Sequence, residues 1–276
     1  MRSLTIASLL APLALAACGD DPAAGTLTVT VYGEEFIEEG IPATVFSDGW
    51  AVDFDTFLVT FGGAAAKAGE DAAEITVPQF LVFDLAKPSG GAGFTLGSVA
   101  APGGLYDHFG YRIRPDASAV AGNADAADVT ALKASGASMR VIGTATKGAT
   151  TIAFDWSFAK DLSHAHCEVD DDVDGNAVTM QATIHGDHLF YDDLVSTDPN
   201  VAFDLVAASD GADGSAPDGT VTLAELAAQD ITAEERYQVG SFPVTDLRAF
   251  IEHQAGTVGH VNGEGHCEDI LDAPLP

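Results

Sequence analysis

Two histidines and a carboxylate stand within four residues in Thr183-Ile184-His185-Gly186-Asp187-His188, which continues as Leu189-Phe190-Tyr191-Asp192-Asp193. Imidazole nitrogen and carboxylate oxygen are donors that zinc and copper take from proteins. The apolar stretch before His185 would deliver them from the end of a strand. Seven of the eight histidines lie between 164 and 266: His164, His166, His185, His188, His253, His260 and His266. His164 and His166 are two residues apart and share one face of a strand. A zinc or copper site drawn from His164, His166, His185 and His188, with His260 or His266, is therefore a candidate. The plainer alternative is that each imidazole caps a turn or hydrogen-bonds to an aspartate.

Cysteine arithmetic adds a constraint. With Cys18 set apart (below), Cys167 and Cys267 form an even pair, and a disulfide is the expectation for an exported chain. It closes a loop of about 100 residues, worth about 4–5 kcal/mol in the chain-entropy treatment. The flanks repeat as His166-Cys167-Glu168 and His266-Cys267-Glu268. The bridge is expected to set His166 beside His266.

A second constellation is all oxygen: Asp210, Asp213, Ser215, Asp218, Thr220, Thr222 and Glu225. The stretch resembles an EF-hand loop, with Asp218-Gly219 at loop positions 5 and 6, the Thr220 carbonyl at 7, Val221 at 8, Thr222 at 9 and Glu225 at the bidentate position 12. Strict spacing puts positions 3 and 1 on Ala216 and Gly214, which have no ligand side chain. A one-residue insertion restores them as Ser215 and Asp213, with Asp210 as a substitute. The resemblance implies calcium between two short helices; an acidic loop capping the second helix is the alternative. The acidic loop Asp170-Asp171-Asp172-Val173-Asp174-Gly175-Asn176 has no such terminal glutamate and is expected to be a solvated hairpin turn.

The opening stretch also resembles the H-x-H-x-D-H motif of the metallo-β-lactamase superfamily, whose histidines and aspartate hold zinc ions that activate water. His185, Asp187 and His188 match its last three ligand positions. Thr183 stands at the first, where a neutral hydroxyl is a poor zinc ligand, and Leu189-Phe190-Tyr191 replaces the usual glycine-rich turn. The resemblance implies a zinc-dependent hydrolase, which competes with a non-enzymatic binding module. No G-x-S-x-G elbow, P-loop or dinucleotide fingerprint is present, and no catalytic residue is assigned.

The elements that must position these groups are mostly strands. Thr26-Leu27-Thr28-Val29-Thr30-Val31-Tyr32 alternates with period two, and β-rich runs follow at 50–61, 75–85, 106–114, 139–144, 150–158 and 178–184. Glycine-rich turns separate them, so the expected fold is mainly β, an antiparallel β-sandwich over 26–188. The segment 101–113 resembles an edge hairpin of transthyretin-like sandwich domains in exported lipoproteins, which implies a sandwich and no activity. One helix is expected at 124–133. After 188 the pattern turns helical, at 190–195, 199–208, 222–229 and 244–256, giving a small C-terminal α-helical subdomain over 189–276 that carries the EF-hand-like loop. Trp50 and Trp156 lie in strand-like runs and are expected in the core.

The N-terminus supplies an address. Residues 1–18 carry Arg2, an apolar run too short to span a bilayer permanently, and Leu15-Ala16-Ala17-Cys18. This resembles the lipobox of bacterial lipoprotein signal peptides and implies that Cys18 is lipidated, with 19–25 as tether. The chain is then expected in the cell envelope, lipid-anchored at the periplasmic side or on the outer membrane or cell surface. A net charge of −31, from 42 acids against 11 bases, repels nucleic acid and attracts cations. The combined expectation is an envelope lipoprotein acting as a metal-binding or interaction module. Its expected partners are the membrane, through the lipid, and an envelope protein; a passive structural subunit is a further alternative.

Overall fold

The computed structural model describes residues 21–269; the expected signal segment, with Cys18, lies outside the described residues. Period-two alternation places Leu27, Val29 and Val31 of the strand Gly25–Tyr32 in the core. That strand pairs in parallel with Ala177–Ile184 and antiparallel with Phe94–Ala101. Gly259–Val261 then joins the far edge of Ala177–Ile184, with Thr183 opposite His260, completing a four-stranded sheet.

The larger sheet is built around the 17-residue strand Ala51–Lys67. It bends at a bulge between Gly62 and Ala64 and pairs with Ile75–Asp84, His108–Ile113 and Met139–Lys147. Gly62 is required there, because a Cβ would stand 2.1 Å from the Gln79 carbonyl oxygen. Thr150–Phe158 pairs with Met139–Lys147, and Leu162–Ala165 with His108–Ile113. The fold is thus mainly β, two sheets face to face, as the alternation predicts.

An aromatic knot fills one end of the sandwich. The Phe190 ring lies within 6.3 Å, centroid to centroid, of Phe46, Phe54, Phe154, Trp156 and Phe203. Trp50 and Trp156 are both core residues. Phe190 is almost wholly buried, which at ~25 cal/mol per Å² of apolar surface stabilises the fold by roughly 2–3 kcal/mol. It also anchors the turn that precedes it.

The chain after 189 feeds both sheets. Thr220–Val221 pairs with Thr150–Phe158, Gly259–Val261 with Ala177–Ile184, and Glu268–Asp269 with Leu162–Ala165. Its helices are Asp204–Ala208, Leu223–Ala228 and Leu247–Gln254. Phe203, Leu226, Leu247 and Phe250 belong to the same core cluster as the sheets. Two helix expectations are corrected. No helix covers 190–195; a 3₁₀ turn, Asp187–Phe190, comes first. Helix 199–208 begins only at Asp204, because Val201 bridges Phe46 and Tyr191 as a strand would, and Asp48 Oδ2 accepts the N–H groups of Phe203 and Asp204. Cys167 and Cys267 form the expected disulfide.

Candidate metal centre

Each residue of the 185–191 turn is fixed by something outside it. Ile184 is buried at the end of its strand, and the His185 amide donates to the Val258 carbonyl at 2.9 Å. Gly186 packs where a Cβ would meet Ile37 Cγ1 at 2.7 Å and Phe54 at 3.2 Å, so only glycine fits. Leu189 and Phe190 plug the turn into the core. His185, Asp187 and His188 then converge: one ligand atom from each lies within 4.8 Å of the others, with His185 and Asp187 buried and His188 half-buried.

Hydrogen bonds assign the imidazole tautomers. Thr257 Oγ1 donates to the Gln254 carbonyl at 3.0 Å, so towards His188 Nδ1, also 3.0 Å away, it can only accept. His188 therefore carries its proton on Nδ1 and its lone pair on Nε2, as a metal ligand requires. His185 Nε2 lies 3.3 Å from the Gly263 carbonyl, to which it donates, so the nitrogen left for an ion is Nδ1. Glu34 Oε2 lies 3.3 Å from that Nδ1. Two donor atoms each about 2.1 Å from a tetrahedral ion stand roughly 3.4 Å apart, so the spacing fits a shared cation.

Asp187 is the most exposing of the group in energetic terms. Its Oδ2 accepts from the Tyr191 hydroxyl at 3.0 Å, while its Oδ1 is buried with no hydrogen-bond partner. Burial pushes its carboxyl above the usual carboxylate range, against the lowering effects of the Tyr191 bond and of His185. Burial also pushes His188 down to about 3, with His185 and His260 adding to the shift. Glu34 is raised, chiefly by burial. Tyr191 stacks on His188 with centroids 4.5 Å apart, and its phenol is pushed up by burial and by Asp187.

The remaining histidines separate into neighbours and outsiders. The His260 ring lies 4.2 Å from His185 and 5.2 Å from His188, and His266 lies 5.6 Å beyond His260. His164 is not with them: it is wholly buried, its ring 4.8 Å from Tyr111, behind Gly259. His166 is exposed and faces His108 at 6.5 Å. The expectation that the disulfide sets His166 beside His266 is corrected. The bridge does bring the backbones together, the Glu168 amide donating to the His266 carbonyl at 2.9 Å, but the two rings pack on different neighbours. His253 packs on Phe242, away from the cluster.

Sequence reasoning missed Glu34, Glu264, Tyr191 and Thr257. A second group able to hold an ion consists of Glu34, His185 and Glu264. Tyr191 was in the opening stretch, yet its role depends on Asp187 folding back towards it. Thr183, the residue in place of a first ligand, donates to the Gly263 carbonyl at 2.6 Å and so fastens the turn that carries Glu264.

The EF-hand-like loop has its oxygens turned to its own backbone. Glu225 Oε1 accepts from Gly211 N at 2.7 Å and from the Ser215 hydroxyl, and Oε2 accepts from Thr222 N at 2.7 Å and the Thr222 hydroxyl. Asp210 accepts from the amides of Asp218 and Gly219, Asp213 from that of Ser215, and Asp218 from that of Thr220. Thr222 and Glu225 form a reciprocal capping box at the start of Leu223–Ala228. Burial pushes Glu225 up, but these hydrogen bonds overcome it and hold the carboxyl below its ordinary value.

No protein-family model matches the chain, and no curated protein matches it. Among solved structures, MbnP from Methylosinus trichosporium is similar at 12% identity, over 60% of this chain and 77% of that one, with a TM-score of 0.34. A likeness that slight carries no argument about the site.

Proposed function

We propose that the chain is an exported, lipid-anchored module of the cell envelope that holds a zinc or copper ion at His185, Asp187 and His188, with His260 alongside. The observation that carries this reading is Asp187 Oδ1, a buried carboxylate oxygen among imidazoles with no hydrogen-bond partner. An unpaired buried carboxylate is costly, and a cation relieves that cost. Imidazole donors favour zinc and copper, whereas calcium and magnesium take oxygen. The Cys167–Cys267 bridge suits an oxidising compartment, consistent with export through Cys18.

Binding is favoured over hydrolysis by the surroundings. The cavity beside the site, about 320 Å³, is lined by Tyr32, Glu34, Glu35, Phe36 and Glu264. Three carboxylates there oppose a developing oxyanion, the opposite of what acyl or phosphoryl transfer needs. The test is metal analysis of protein purified without chelator and dialysed against zinc or copper. Stoichiometric ion is expected in the native chain and none in His185→Ala/His188→Ala. Equal metal in both proteins would sink the assignment.

A further inference from the structure

The five ligand-bearing residues at this end of the sandwich do not converge on one point. They form two overlapping trios, His185/Asp187/His188 and Glu34/His185/Glu264, joined only by His185. Burial is graded across them: His185 and Asp187 are buried, Glu34 and His188 half-buried, Glu264 exposed. The two glutamates of the outer trio line the 320 Å³ cavity, whereas His185, Asp187 and His188 do not.

Both glutamates are held in place by backbone that side chains seldom adopt. Glu34 has φ +53°, a left-handed conformation that a β-carbon-bearing residue adopts only at an energetic cost. It directly follows Gly33, where a Cβ would lie 2.8 Å from Leu85. Glu264 sits on a turn with Asn262 at φ +48° and Gly263 at +86°, tied down through the Gly263 carbonyl by Thr183 and His185. Carboxylate oxygens exchange divalent ions readily, while an imidazole-rich buried trio retains them.

We propose that Glu34, His185 and Glu264 form an outer capture station, from which a divalent transition-metal ion passes, still bound to His185, to the inner trio. The metal is then an exchangeable guest with a defined entrance. This inference rests on the inner site proposed above. It adds a route, which has a kinetic signature of its own: neutralising the outer glutamates slows entry and exit together and leaves equilibrium affinity nearly unchanged.

Cobalt(II) serves as probe because its visible absorption reports coordination. Stopped-flow mixing of the full-length chain with Co(II) should show association slowed about tenfold or more in Glu34→Gln/Glu264→Gln, with the equilibrium Kd within about threefold of native. The charge-matched Glu39→Gln/Glu70→Gln protein, altered outside both trios, should load at the native rate. Unchanged loading in the first variant overturns the station. So does a weakened Kd at native association rate, which would make the glutamates ordinary ligands of a single site. Equal slowing in the charge-matched protein also overturns it, leaving only long-range attraction by a chain of charge −31. A native chain that binds no Co(II), or a His185→Ala chain that binds it equally, removes the inner site as well, so the two failures are distinguishable.

Discussion

His188 shows how one side chain can be prepared for a metal and weakened against acid by the same surroundings. Its Nδ1 proton is committed to Thr257, and burial with the neighbouring imidazoles pushes its pKa down to about 3. A metal ion would therefore meet no proton on Nε2 at neutral or mildly acidic pH. The folded pKa lies below the unfolded value of about 6.5, so the unfolded chain binds the extra proton. Stability contributed here is fully present above pH 6.5 and is lost as pH falls from there towards 3, by up to roughly 1.4 kcal/mol per unit. Asp187 and Glu34, both raised, have the opposite sign, so a variant must isolate the effect. With chelator present, the urea-unfolding stability of the native chain relative to His188→Gln is expected to fall by about 2 kcal/mol between pH 7 and 5. Parallel stability curves for the two proteins would refute it.

At the scale of elements, the 210–225 loop sets ion binding against self-capping. The oxygens arrive in an order close to a calcium loop, yet they accept from the loop's own amides and from Thr222. Glu225→Ala removes the capping box and the ties to Gly211 and Ser215, and is expected to cost about 1–2 kcal/mol. The loss should be the same in chelator as in millimolar calcium, measured by thermal unfolding. A loss confined to calcium-containing buffer would support the ion-binding reading of this loop. Legibility follows the same logic. The long strands were readable because polar and apolar residues alternate along Gly25–Tyr32, Thr150–Phe158 and Ala177–Ile184, and the apolar set is the buried one even where Thr30 and Thr183 are buried beside it. Leu162–Ala165, Gly259–Val261 and Thr220–Val221 have two to four residues, too few to show a period, and exist because a neighbour offers its edge. His185, Asp187 and His188 were legible because they are local in sequence. Glu34 was not, since a position 151 residues away enters the site only when Gly25–Tyr32 pairs with Ala177–Ile184.

In the whole molecule, the segment 259–269 links what the rest of the chain keeps apart. It begins as the edge strand Gly259–Val261 of the smaller sheet and ends as Glu268–Asp269 on the larger one. It carries His260, Glu264 and His266, so one short connection spans the two sheets and walls the candidate site. Strands of two and three residues supply few hydrogen bonds, and such a segment would open locally at small cost without a covalent tie. Cys267, bonded to the buried Cys167 across 100 residues of sequence, is that tie. Closing so long a loop stabilises by about 4–5 kcal/mol, and for a chain of this size each kcal/mol moves Tm by roughly 2–4 °C. Cys167→Ala/Cys267→Ala is therefore expected to melt on the order of 10 °C lower. Because the entropic effect acts on the unfolded chain while the segment's release is a native-state event, hydrogen exchange separates them. Amides of 262–269 should exchange faster in the variant under conditions where Gly25–Tyr32 and Ala177–Ile184 stay protected. Uniform acceleration over all three segments would mean that the bridge stabilises the whole fold without specifically holding the wall of the site.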